Sequence, residues 1–341
     1  MSIVKTEPNL NPNFDDFFRT IQLTYAPKTE AEVKFQEPQS AGRIQTLEGV
    51  FVPRFEDILE QDRIAKDIAD RLQRLRNPNV KLKKNGTDLC LSPEVLYSRL
   101  KDIDFYPNFR DPSILCSTVS RRFMSHRYGG SKATCFPNIR QKRVKEHGYN
   151  DFMFLNPNLN PHAPQIPGAP GLYLEVRPSK ADYNVNNFPN LKRVYVRLRV
   201  GAWLKVGIYK LTRSEPLSKE EMSRADMAKM RSAWADQIAT RKSKWGKSMR
   251  CSIKLRAELE REPTSEEFDD AMRRNDLFTD VSTEDISRAF LLGNQVVSIW
   301  TMECVDYDIK FQQATVEAFK NWTRGRPLTS NHHFLRKFPR S

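Results

Sequence analysis

Apolar residues first recur at helical spacing between Phe55 and Arg76, where Ile58, Leu59, Ile64, Ile68, Leu72 and Leu75 follow a 3.6-residue period. Acidic residues open this stretch and basic residues close it, an order that suits the helix dipole, and Asn77-Pro78 stops it. Ser92-Pro93-Glu94 sets an N-cap before a proline at the first helical position and predicts a second helix through about Leu100. From Asp104 to Pro170 no period holds. Prolines at 107, 112, 137, 157, 161, 164, 167 and 170 predict a long irregular connection there, either a linker or a functional loop. After Gly171 the pattern changes to period two. Leu172 to Val176 reads as a strand, and Arg193 to Val200 puts Val194, Val196, Leu198 and Val200 on one face with Tyr195, Arg197 and Arg199 on the other. Gly201-Ala202 turns the chain into Trp203 to Leu211, which alternates in the same way, so a β-hairpin is expected at the centre of a sheet or small barrel. Ser218-x-x-Glu221, Thr264-x-x-Glu267 and Ser282-x-x-Asp285 have the capping-box form and each opens a helical stretch, the first anchored by Trp234, Ile238 and Trp245. Val296 to Val305 is a last buried strand.

These elements predict an α+β protein in four parts: a flexible acidic arm over 1–54, a helical element over 55–103, a basic α+β domain over 104–320 and a basic tail over 321–341. A length of 341 residues has room for two domains or one elaborated domain. No apolar run approaches the roughly 18 residues of a membrane span, and the opening MSIVKTEPNLNPNFDD has neither a basic nor an apolar leader segment, which argues against membrane insertion and classical secretion. The cysteines Cys90, Cys116, Cys135, Cys251 and Cys304 are scattered and odd in number, as expected in a reducing compartment. Phosphate-loop, dinucleotide-binding, zincin and nucleophile-elbow motifs are all missing from the sequence, so those enzyme classes lose their usual support, and no cofactor is implied.

Charge changes the picture more than composition does. The net charge of +14 favours a polyanionic partner, and it is unevenly spread. Residues 1–60 carry 6 basic and 10 acidic groups, whereas 192–256 carry 18 basic and 5 acidic, and 258–285 reverse the sign with 11 acidic and 3 basic. A second basic stretch, Arg121 to Lys145, has eight cations and no acid, and its Arg140 to Lys145 run (RQKRVK) also has the form of a nuclear-import patch. Cations that hold phosphates together with aromatic planes that stack on bases are the chemistry of nucleic-acid binding. The expected phosphate contacts are Arg121, Arg122, Arg140, Lys142, Arg143, Arg197, Arg199, Lys205, Arg241, Lys242, Lys244 and Lys247. The expected stacking groups are Tyr195, Trp203, Tyr209 and Trp245. DNA binding in the nucleus is the leading expectation, with RNA as the other nucleic-acid partner and protein partners undefined.

Two other readings stay open. One is an enzyme acting on nucleic acid, with Asp306, Asp308 and Lys310 past the last strand and Glu175 and Glu303 within strands supplying acid, base or Mg²⁺ ligands. The other is a protein-interaction scaffold whose basic face pairs with acidic segments, including its own 257–290 region. Cys116, His126, Cys135, His147 and His162 are zinc-type ligands, but their spacing matches no compact zinc module, and no metal is expected. Val4-Lys5-Thr6-Glu7 has the form of a sumoylation acceptor.

Two resemblances add to this reading. The string Tyr128-Gly129-Gly130, Phe136-Pro137, Glu146-His147-Gly148-Tyr149, Asn160-Pro161-His162-Ala163-Pro164-Gln165 and Pro167-Gly168-Ala169-Pro170-Gly171-Leu172, continued by Ala202 to Tyr209 and Trp300-Thr301-Met302, resembles an uncharacterised domain family of mushroom-forming fungi. It would cover 104–320 and implies no known activity. The strands WLKVGIYKL and VVSIWTMECV are similar to the PUA-like superfamily, which implies a small β-barrel or strongly bent mixed sheet and, by analogy, a pocket for a flipped base.

Overall fold

The computed structural model describes residues 45–47, 50–52, 54–107, 111–178, 191–274 and 280–324. The sumoylation-type motif, most of the acidic arm and the tail beyond residue 324 lie outside them. A short antiparallel pair, β1 (Gln45–Leu47) and β2 (Val50–Val52), precedes the long helix α1 (Phe55–Arg74). Then come α2 (Lys84–Thr87) and α3 (Pro93–Leu100), whose Ser92 cap accepts from the Val95 amide as its sequence predicts. Ile68, Leu72, Leu89, Leu91, Val95, Leu96 and Leu100 share one buried cluster with Leu172, Leu174 and Trp234. The N-terminal helices are thereby packed into the core of the rest of the chain.

The stretch expected to be irregular is in fact ordered by short elements: α4 (Pro112–Leu115), β3 (Thr118–Val119), α5 (Arg121–Tyr128), α6 (Gln141–His147) and β4 (Phe152–Leu155). The prolines sit between or at the starts of these elements, and Asp111 and Ser120 cap two of them by accepting from backbone amides. β5 (Gly171–Glu175), β6 (Leu191–Arg199), β7 (Ala202–Ser214) and β8 (Ser298–Asp306) complete the strands. Between β7 and β8 stand α7 (Lys219–Ser223), α8 (Ala228–Thr240), α9 (Lys244–Leu259), α10 (Ser265–Arg273) and α11 (Thr283–Leu291). All three predicted capping boxes form with both reciprocal hydrogen bonds. α12 (Ile309–Arg324) closes the described chain.

The strands after β2 form one mixed sheet in the order β4-β6-β7-β8-β5, with β3 pairing to the start of β7. β4 runs parallel to β6, and the other pairs are antiparallel. β4 and β5 stand at opposite ends of this order, so the sheet is open and the expected barrel is not formed. Both faces are covered. One carries Met153, Val194, Val196, Leu204, Val206, Tyr209 and Leu211, and the other packs Phe152, Phe154 and Tyr195 against Phe123 of α5 and Phe311 of α12.

Gly207 sets how β7 uses these faces. Opposite β6, Val194 pairs with Gly207 but Tyr195 pairs with Lys205, so Val206 is an extra residue and the alternation of β7 reverses across the bulge. Lys205 therefore faces α12 while Tyr209 faces the opposite core. Gly207 has φ +149°, and a Cβ there would lie 2.5 Å from the sulfur of Cys304.

Candidate nucleic-acid interface

α5 is held onto the sheet by its apolar side, with Phe123, Met124 and Tyr128 buried, and turns Arg122, His126 and Arg127 outward. Its first residue is the exception. Arg121 is buried, its guanidinium lies 3.4 Å from the Phe154 ring centre, and it donates to the carbonyls of Ser131 and Thr134, the latter at 3.1 Å. Burial pushes its pKa down to about 10, because the charged form loses water. Arg121 thus braces the 129–134 loop from beneath. Ser125 adds a 2.6 Å hydrogen bond to the Gly130 carbonyl. Gly130 itself has φ +79°, and a Cβ there would fall 2.6 Å from Pro137.

The braced loop forms one wall of a cleft of about 590 Å³. Its other walls carry Arg140, Lys142, Arg143 and Glu146. Arg143 donates to Glu146 at 2.9 Å and to the His126 carbonyl at 2.8 Å, which ties α6 to α5. Arg140 and Lys142 are exposed and form no ion pair among the described residues. A smaller opening of about 280 Å³, between α5 and α12, is lined by Phe123, His126, Arg127, Arg143, Ala318 and Trp322.

The other expected contacts fall into three places. Arg197 and Arg199 lie near the β6–β7 turn, Arg197 paired opposite Trp203, and Trp203 pairs with Val119 two residues before Arg121. Strand register thus places this turn beside the start of α5. Arg241, Lys242 and Lys244 are exposed between α8 and α9, where Lys247 and Trp245 are half-buried. Trp245 is no stacking plane at the α5–α6 site, since its indole donates to the Val176 carbonyl at 3.1 Å, beside β5 at the other edge of the sheet. Tyr195, Tyr209 and Lys205 are fully buried, with 0% exposure each, because the face expected to be open is covered over Tyr195 and Lys205 and the bulge turns Tyr209 into the core on the other face. The Tyr209 hydroxyl donates to the Ala169 carbonyl at 2.8 Å.

Lys205 belongs to an internal polar knot that sequence reading missed. Its ammonium donates to the carbonyls of Tyr307 and, at 2.8 Å, Asp308, and lies 4.2 Å from the Tyr307 ring centre. Burial, ahead of the opposing pull of Asp308, lowers its pKa to about 7. Arg193, also buried, donates to both Asp151 oxygens and to Asp308 at 2.9 Å, with the ring centres of Tyr149 and Phe311 4.6 and 4.3 Å from its guanidinium. Only the charge pattern of RVYVRLRV could have pointed here, and it reads equally as a solvated face.

The acids considered for catalysis do not converge. Glu175 pairs in register with Ser298 at the start of β8, whereas Asp306 stands at its end, and Asp308 is engaged by Arg193. Among the described residues no three His, Cys, Asp or Glu side chains gather as a metal site. Both ring nitrogens of His147 meet backbone groups, Nε2 the Tyr128 carbonyl and Nδ1 the Tyr149 amide, and His162 Nε2 accepts from the Leu91 amide at 2.7 Å. Part of the basic 192–256 window is neutralised by the acidic segment that follows it, through Lys254–Asp280 and Arg256–Glu262 pairs at 2.7 and 2.8 Å.

A family model described as a domain of unknown function, DUF6697, matches residues 118–318, more than half of the chain. The chain belongs to the DUF6697 family. The DUF6697 span starts at β3 and ends within α12, so it takes in every strand of the main sheet together with α5, α6 and the larger opening, whereas Trp322 of the smaller opening stands just past its end. The α1–α3 helices stand before the span while contributing to its core. No curated protein and no solved structure matches the chain.

Proposed function

We propose that this protein binds nucleic acid, with DNA in the nucleus as its partner, through the α5–α6 face and the adjoining β6–β7 turn. The observation that carries the reading is the concentration of unpaired positive charge there. Arg122, Arg127, Lys132, Arg140, Lys142 and Lys145 are exposed on α5, α6 and the segment that joins them, with Arg140 and Lys142 lining a preformed cleft; they form no ion pair among the described residues and stand in a stretch without an acid from 121 to 145. Clustered cations on one face release counterions from phosphates, which gives affinity without base contacts. A flipped-base pocket built on the sheet is less favoured, since Tyr195 and Tyr209 are core residues and the sheet is open. The test is fluorescence anisotropy of labelled duplex and single-stranded DNA and RNA across a salt series, with and without Mg²⁺, followed by a gel of the recovered nucleic acid. Salt-steep binding with intact product supports the reading, and no binding at moderate salt overturns it.

A further inference from the structure

The two openings beside α5 have different chemistry and a common wall. The larger presents Arg140, Lys142 and the Gly129–Ser131 loop, and the smaller presents the rings of Phe123, His126 and Trp322 with Arg127 beside them, while Arg143 lines both. In the smaller one Trp322 packs with its ring centre 5.9 Å from Phe319, 5.5 Å from Phe123 and 6.2 Å from His126. The indole is therefore fixed in place by aromatic neighbours, while it remains partly accessible at the opening. At about 280 Å³ this space falls just under the roughly 300–1,000 Å³ of pockets that bury drug-sized ligands. It is suited to one planar ring system, and an anion attached to that ring must sit outside it. The neighbouring cleft supplies the cations for that anion. Glu146 half-neutralises Arg143, so Arg140 and Lys142 are the groups of the cleft left to meet it, alongside Arg127 of the smaller opening.

We infer that the two openings form one subsite for an unpaired nucleotide of single-stranded nucleic acid, with the base against Trp322 and His126 and the phosphate at Arg140 and Lys142. This rests on the nucleic-acid reading above and narrows it, because a base held in a duplex stack has no free face for Trp322. Stacking on a fixed aromatic plane is tolerant of base identity, so the subsite selects unpaired bases over paired ones and not one base over another.

The experiment compares the full chain binding two labelled twelve-residue DNA strands with equal phosphates, one of thymidines and one wholly abasic, with Trp322→Ala and Trp322→Phe variants alongside. Stacking on aromatic side chains predicts that the wild type prefers the thymidine strand by about tenfold. Trp322→Ala removes most of that preference while its affinity for the abasic strand, set by cations, stays within about twofold, and Trp322→Phe restores the preference. Should Trp322→Ala fail to fold by circular dichroism, the wild-type preference and a His126→Ala variant, which loses part of it, carry the test. Equal wild-type affinity for the two strands, or a preference that survives in folded Trp322→Ala, overturns the subsite. Salt-steep binding of both strands without preference leaves the nucleic-acid reading intact, whereas binding of neither overturns both.

Discussion

Arg193 of β6 and Asp308, the residue that opens α12, meet 2.9 Å apart beneath the α12 side of the sheet, and the same guanidinium reaches Asp151 before β4. One cation thus ties three separate segments of the chain together. Arg193 has 6% side-chain exposure, while its acidic partners have 32% and 28%. Removing the buried partner strands two carboxylates, and losses of this kind reach about 3–5 kcal/mol, with the partial exposure of the acids placing Arg193→Met near 3. Asp308→Asn keeps an oxygen for the Phe311 amide that Asp308 caps at 3.1 Å, so it costs less than Arg193→Met. Urea unfolding of both variants checks the order.

Lys205 gives the fold a pH dependence of definite sign. Its pKa in the folded protein is about 7, against an ordinary value of 10.5. Between these values the unfolded chain holds the proton that the folded one has released, so stability rises with pH across that window, and the full cost of burying the charge is felt below about 7. Lys205→Met lacks this rise. Unfolding free energies measured from pH 6.5 to 10 therefore climb more steeply in the wild type than in the variant. Parallel profiles would mean that the carbonyls of Tyr307 and Asp308 keep the ammonium charged in the fold.

Much of the framework was legible. The α1 and α3 helices, the capping boxes at Ser218, Thr264 and Ser282, the 193–211 hairpin and the last strand all rest on local periods or local hydrogen bonds, which sequence records directly. What sequence could not record is which faces become covered. Tyr195 and Lys205 lie on the polar side of an alternating strand, and only the packing of α5 and α12, distant in sequence, makes that side interior. The bulge at Val206 then sends Tyr209 to the other core, although simple alternation groups it with Lys205. Arg140, Lys142 and Arg143 were legible as a cation run. Trp322, nearly two hundred residues away, carries no local signal that it joins them.

Gly207→Ala tests the bulge. The added methyl meets Cys304 at 2.5 Å in a backbone conformation at φ +149° that side chains rarely adopt. Overpacking and backbone strain of this kind cost about 1–3 kcal/mol each. A fall in thermal midpoint is expected, and Cys304→Ala in the same chain recovers part of it by removing the clash. If the double variant is no more stable than Gly207→Ala, the penalty comes from the backbone alone.

Arg121→Lys separates bracing from charge. Lysine preserves the net charge but cannot reproduce a planar guanidinium that stacks on Phe154 while donating to both Ser131 and Thr134. The 129–134 wall of the cleft loosens, so affinity for DNA falls several-fold although no positive charge has been lost. Hydrogen exchange at 129–134 should rise in the same variant. Unchanged affinity and exchange would return Arg121 to the status of one cation among many.

The two exposed basic groups, one around α5 and α6 and one at the start of α9, can be told apart by salt. Arg127, Arg140 and Lys142 surround the openings beside α5, whereas Arg241, Lys242 and Lys244 project from the turn that Trp245 fastens beside β5. Each phosphate contact contributes about −0.9 to the slope of log affinity against log salt on duplex DNA. Reversing the first three to glutamate should therefore flatten the slope by about 2–3 and weaken binding regardless of sequence. Reversing the second three should change the slope by less than about 1, because that turn lies outside the face assigned to phosphates. Equal losses from the two sets would show that DNA reaches both groups, and a loss from the second set alone would move the interface to α9.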